Sequence, residues 1–187
     1  VEKHVYVVTH GAKFSGANPG MTAEGFDQVA KLRSLLPAEI NVVVCGTGRR
    51  HLDVAKALGL YPTRYTSAVG GPDSGECMAG NGTVDVVRLP GSSDVPDGTL
   101  VPYAIYTTLI DTAPVMKAVI CGLPHNSVVC AGRPSMIMLD MDESKSKSAA
   151  VYKVAVMEVP DFKGKTTRLI TEVSEVLATG EAETHAV

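Results

Sequence analysis

The residues best suited to chemistry lie at the ends of short apolar runs. His10 closes Val5-Tyr6-Val7-Val8-Thr9-His10-Gly11. A histidine in that position can act as a nucleophile, a general base or a metal ligand. The competing reading is a histidine hydrogen-bonded at a strand end, because fold position alone does not fix function. Arg49 and Arg50 follow the turn Cys45-Gly46-Thr47-Gly48, and Arg133 follows Ala131-Gly132. Arginine suits planar, bidentate contact with a phosphoryl group. Cations at a helix start oppose the macrodipole, which favours a functional reason for Arg49 and Arg50. The alternative is that both arginines mark an exposed helix start and Arg133 a surface turn.

Strands and helices must bring these residues together. Val5 to Thr9 is short, apolar and rich in β-branched side chains, so it reads as a buried strand. Gly11 allows a sharp turn or close backbone approach. Ala12 to Gly20 reads as a loop. Thr22 is an N-cap candidate for a helix over Ala23 to Leu36, ended by Pro37. Ile40 to Val44 reads as a second strand, Arg49 to Leu60 as a helix stopped by Gly59, and Arg64 to Val69 as a third strand. Gly70 to Gly98 crowds Gly, Pro, Ser and Asp around one strand-like run, Val84 to Leu89. It reads as an insertion or lid over the site.

Tyr103 to Cys121 reads as a helix that Pro114 kinks or splits. Ser127 to Cys130 is a fourth core strand, and Met136 to Leu139 starts a helix or another strand. Asp140 to Lys147 is a solvated turn, and Ala149 to Val159 a strand near the sheet edge. Lys165 to Leu177 places Leu169, Ile170, Val173, Val176 and Leu177 at helical spacing and reads as a final helix. Glu181 to Val187 is a frayed tail. Alternation of strand and helix implies a parallel sheet with right-handed crossovers, whose carboxyl ends converge on one crevice.

Composition narrows the classes. The 187 residues suit a single domain, 1–187, long enough to bury its own core. A formal net charge of -3, 5% aromatic residues and no Trp argue against a nucleic-acid partner. No apolar run reaches the roughly 20 residues of a membrane span, and no signal peptide is expected. Cys45, Cys77, Cys121 and Cys130 show no zinc-like spacing, so no metal is expected. Buried free thiols at Cys45 and Cys130 suit a reducing, cytoplasmic setting. No dinucleotide or Walker pattern occurs. The acidic cluster at Asp140, Asp142 and Glu143 reads as solvated loop charge ahead of a cation site.

The order of motifs resembles the histidine phosphatase superfamily, the phosphoglycerate mutase-like proteins. That family opens with a strand ending Arg-His-Gly, matched by Thr9-His10-Gly11. Its Leu-Thr-x-x-Gly-x-x-Gln-Ala helix start is matched by Met21-Thr22-Ala23-Glu24-Gly25-Phe26-Asp27-Gln28-Val29-Ala30. Its next arginine motif is matched at Arg50 and Ala55. The resemblance covers residues 4 to 69 well and 103 to 159 more loosely. It implies an α/β three-layer sandwich, a mostly parallel central sheet with helices on both faces.

The resemblance also implies roles. His10 becomes the phosphoryl-accepting nucleophile and Arg50 a phosphate clamp, with Arg133 and Thr9 as further phosphate contacts. Glu76 is the expected proton donor on spacing, with Asp73 second. No cofactor is implied, and the partner is a small phosphorylated molecule or a phosphoprotein. Two family positions have changed. Thr9 stands where the family has arginine, and Ala131 where it has a second histidine. Loss of one preorganised donor typically costs about 10²–10³ in rate. Two readings therefore stand: a divergent phosphomonoester hydrolase, and a catalytically degenerate member that binds a phosphate ligand or a protein.

Overall fold

The structure is a computed structural model. It describes residues 1–16, 19–46, 48–65, 69–70, 83–85, 100–102, 113–133, 136, 139, 141 and 145–178. The expected Val5 strand is the end of a longer one, β1 (Glu2–Thr9). Helix α1 (Ala23–Ala30) follows and tightens into a 3-10 turn over Lys31–Leu35. Then come β2 (Val43–Cys45), α2 (Arg49–Ala57) and β3 (Arg64–Tyr65). Strands β4 (Thr83–Asp85) and β5 (Leu100–Pro102) pair antiparallel with each other. Most of the expected insertion, 70–98, lies outside the described residues. Helix α3 (Ala113–Gly122), β6 (Ser127–Ala131), β7 (Val151–Pro160) and β8 (Thr166–Val176) complete the order.

Six strands form one sheet in the order β3-β2-β6-β1-β7-β8. β3, β2, β6 and β1 run parallel, while β7 and β8 are antiparallel. The sheet is thus mixed, and the mostly parallel arrangement expected holds only over those four strands. Period-two alternation sends Val5, Val7 and Val129 into one core with Met116, Ile120 and Leu123 of α3 and its exit. It sends Val8, Val43, Val128 and Cys130 into another with Val29 of α1 and Leu52, Val54 and Ala55 of α2. Both sheet faces are therefore covered, as the three-layer reading requires. Each buried Val or Leu side chain contributes roughly 1.5–3 kcal/mol.

The final element overturns an expectation. The expected final helix is instead edge strand β8 (Thr166–Val176), and β7 lies beside it, near the sheet edge as expected. The reason for the strand is the turn before β8. Asp161 Oδ1 accepts hydrogen bonds from Lys163 N at 2.8 Å and Lys165 N at 2.9 Å, and Gly164 takes φ +78. That geometry reverses the chain into a hairpin, and the β-branched Thr166, Thr167, Ile170, Thr171, Val173 and Val176 suit the strand it starts. Pro114 is the expected kink or split point of the helix over Tyr103 to Cys121. It stands in the first turn of α3, where a missing N–H costs no helical bond. Residues 103–112 are outside the described set.

Candidate functional site

Three parallel strands bring their carboxyl ends side by side. Thr9 of β1 is in register with Ala131 of β6, and Cys45 of β2 with Cys130 of β6. The next residues, His10, Gly46 and Gly132, therefore start three neighbouring loops at one end of the sheet. Open α/β sheets place ligands at this edge.

The loop after β1 is held by the motif that opens α1. Thr22 accepts a hydrogen bond from Gly25 N at 3.1 Å and caps the helix, as its sequence position predicts. Gln28 Oε1 accepts from Ala12 N at 2.9 Å. A Cβ on Gly25 would collide with the Ala12 backbone, so glycine lets the helix start press on this loop. Asp53 Oδ2 accepts from Met21 N at 2.8 Å and ties the same loop to α2. The threonine, glycine and glutamine of the motif thus act together to fix the segment carrying His10.

His10 is 8% exposed. Its Nδ1 lies 2.9 Å from the carbonyl oxygen of Gly11. A carbonyl only accepts, so Nδ1 carries the proton and the lone pair of the neutral ring falls on Nε2. In the neutral ring this is the tautomer a nucleophilic histidine needs.

Arg50 and His51 reach the crevice from the first turn of α2. Gly48 is the N-cap, and His51 Nδ1 accepts its N–H at 3.2 Å. An acceptor at Nδ1 places the ring proton on Nε2, the opposite tautomer to His10. The two rings are 6.3 Å apart between centroids. Arg50 is 5% exposed and His51 fully buried. Burial holds the His51 pKa well below the ordinary histidine range, and Arg50 and then His10 lower it further. The ring packs against small residues. A Cβ on Gly70 would come within 2.6 Å of His51 Cε1, 2.9 Å of its Nε2 and 3.0 Å of the Gly132 nitrogen. His51 Nε2 has no hydrogen-bond partner among the described residues. A buried donor in that condition costs about 1–3 kcal/mol.

The expected residues fare unequally. His10 and Arg50 are both buried, and both act electrostatically on His51, so the fold gathers them into one cluster. Arg49 is exposed. Thr9, the expected phosphate contact, has its hydroxyl engaged within the fold. Its hydroxyl donates to Lys147 O at 2.7 Å and accepts from Ala150 N at 3.0 Å, and the residue is fully buried. Thr9 pins the start of β7 to the end of β1. Arg133 is exposed, and its Nε donates to Ser146 O at 2.8 Å, while Ser146 Oγ donates back to Arg133 O at 3.0 Å. Ala131, at the second family histidine, packs in the core on the α3 side. Glu76 and Asp73 lie outside the described residues.

His51 is the residue that sequence reasoning missed. Its signal was its place in a first helical turn beside Arg50, directly after a strand and a glycine turn. Other features carry less chemistry. Cys45 and Cys130 are buried free thiols, with the Cys45 thiol pKa raised by burial and by Cys130. Among the described residues no group of three or more His, Cys, Asp or Glu side chains could hold a metal ion. No helix among them is long and apolar enough to cross a membrane. A 540 Å³ cavity between α3 and β8, lined by Lys117, Cys121 and Arg168, is remote from the histidines.

The sheet order and the helices on both faces are those of a phosphoglycerate mutase-like α/β fold. A protein of Escherichia coli K-12, provisionally assigned as an alpha-ribazole-5'-P phosphatase, superimposes with a TM-score of 0.52 at 10% identity, covering 91% of this chain and 96% of that one. TTHB049 of Thermus thermophilus gives 0.48 at 15% identity, covering 90% and 99%. Rv3214 of Mycobacterium tuberculosis gives 0.49 at 13% identity, covering 91% and 96%. The likeness is one of fold. No protein-family model matches the chain, and no curated protein matches it in sequence.

Proposed function

We propose that this crevice takes the phosphoryl group of a phosphomonoester and that His10 accepts it transiently. The observation that carries the reading is the 2.9 Å bond from His10 Nδ1 to Gly11 O, which leaves the lone pair on Nε2. The Nε2 lone pair attacks phosphorus, and the bond from phosphorus to the ester oxygen breaks. The leaving oxygen takes a proton from an acid, for which Glu76 and then Asp73 are the candidates. Water then attacks the phosphohistidine and gives a proton to the conjugate base of that acid, the P–N bond breaks with its electron pair returning to Nε2, and inorganic phosphate leaves. Arg50 supplies positive charge to the phosphoryl oxygens. No metal or organic cofactor enters these steps. The substrate class is a small phosphorylated molecule or a phosphoprotein, and the fold neighbour from Escherichia coli, whose assigned substrate is a phosphate ester, supports the former. The buried free thiols fit a reducing, cytoplasmic setting.

A second reading, a phosphate-binding module without turnover, is favoured by one pair of observations. Thr9 and Arg133 are both engaged with backbone carbonyls. Trapping decides between the two. Incubation with a reactive phosphate donor followed by alkaline peptide mass spectrometry should find phosphohistidine at residue 10, absent in His10→Ala. Slow turnover of a broad phosphate-ester panel should vanish in the same variant. Absence of both phosphohistidine and turnover in the wild type, with phosphate still bound, would establish the binding module.

A further inference from the structure

We propose that His51 donates its Nε2–H to an oxygen of the phosphoryl group held beside His10. The inference rests on the phosphoryl-binding reading above and adds to it a residue that the sequence pattern does not mark.

Gly48 N–H occupies His51 Nδ1, so the tautomer is fixed by the backbone and Nε2 must be the donor. That donor is buried, and no described residue accepts from it. Buried polar groups in native proteins have partners, so an orphaned one calls for an explanation such as an absent ligand. The location supplies one. The ring lies against Gly70 and beside the Gly132 nitrogen, at the strand ends that form the crevice, and 6.3 Å from the His10 ring. The ligand must accept a hydrogen bond, tolerate Arg50 nearby, and offer an electrophile to the His10 lone pair. A phosphoryl group meets all three conditions. The low proton affinity of His51 keeps the ring neutral, so it acts as a hydrogen-bond donor that does not give up its proton. It is therefore assigned a binding role and not that of the acid for the leaving group.

Two conservative variants separate this role from helix capping. His51→Asn keeps an acceptor near the Nδ1 position for Gly48 N–H and removes the distal donor. His51→Gln keeps a donor near the Nε2 position and gives up the cap. Inorganic phosphate is the probe, titrated into the full chain by calorimetry, with thermal unfolding of each variant as a check on folding. His51→Asn should weaken phosphate binding about 10- to 100-fold, the range for a hydrogen bond to a charged acceptor. His51→Gln should return it to within about threefold of wild type. A second measurement needs no variant. In 15N-labelled wild type, the His51 Nε2 resonance should move on phosphate addition while Nδ1 keeps its acceptor shift. Binding by the wild type with an unmoved His51 Nε2 signal, or with His51→Asn binding equally well, would overturn the inference alone. A wild type that binds no phosphate would overturn the phosphoryl reading of the crevice, and this inference with it.

Discussion

Burial of His51 should make the protein measurably weaker in mild acid. The perturbation is pH, and the comparison is wild type against His51→Asn. In the folded protein the ring resists protonation, because burial first, then Arg50, and then His10 disfavour the imidazolium. In the unfolded chain it protonates near the ordinary value of 6.5. Below that value the unfolded state binds one more proton than the native state, so stability falls as pH falls. Above it the two states bind equally, and the full stability is present. The slope is at most about 1.4 kcal/mol per pH unit for one group. From about pH 8 to about pH 5 the wild type should therefore lose up to about 2 kcal/mol more than the variant. His4, His125 and His185 are common to both proteins and cancel in the difference. Urea unfolding followed by far-UV circular dichroism at four or so pH values measures it. Parallel stability profiles for the two proteins would refute the burial argument. A wild type that gains stability relative to the variant in acid would reverse its sign.

Other perturbations test the scaffold around the crevice. Thr9→Val keeps the shape but strips Ala150 N of its acceptor, and should cost about 1–3 kcal/mol in urea unfolding. A cost below about 0.5 kcal/mol would show that Thr9 does not hold β7 to β1. Gly25→Ala drives a Cβ into the Ala12 backbone and should destabilise by about 1–3 kcal/mol, although alanine is the better helix former. An increase in thermal midpoint for that variant would rule out the close approach.

Much of this arrangement is legible in the residues. The Val5 to Thr9 strand, the Thr22 cap and the helix opening at Arg49 each depend on local chemistry, and each stands where expected. The motif of Thr22, Gly25 and Gln28 is recognisable because every member meets the Ala12 loop or the helix cap, so its spacing is a mechanical requirement. The last strand was not legible from spacing. Leu169, Ile170, Val173, Val176 and Leu177 satisfy a helical period, and several also fall on an alternating one. The deciding signal was the Asp161 to Gly164 turn, which only matters if the preceding strand continues antiparallel. His51 was missed for a different reason. The resemblance places the second family histidine at Ala131 and so directs attention away from His51. Only the assembled fold shows the Ala131 side chain in the α3-side core and the His51 ring beside Gly70 and Gly132.

The two histidines are complementary in a way that selects among anions. Gly11 O is an acceptor and forces the His10 proton onto Nδ1, while Gly48 N–H is a donor and forces the His51 proton onto Nε2. One ring thus turns a lone pair on Nε2 and the other turns a proton on Nε2, both set by backbone atoms and neither dependent on a flexible side chain. A carboxylate would satisfy His51 and Arg50 but would meet the His10 lone pair with its own electron-rich oxygens. A phosphoryl group carries acceptor oxygens around an electrophilic centre, so a donor and a lone pair can engage it together. The pairing of opposite tautomers, more than the number of cations, is what supports the proposed phosphoryl reading of the site.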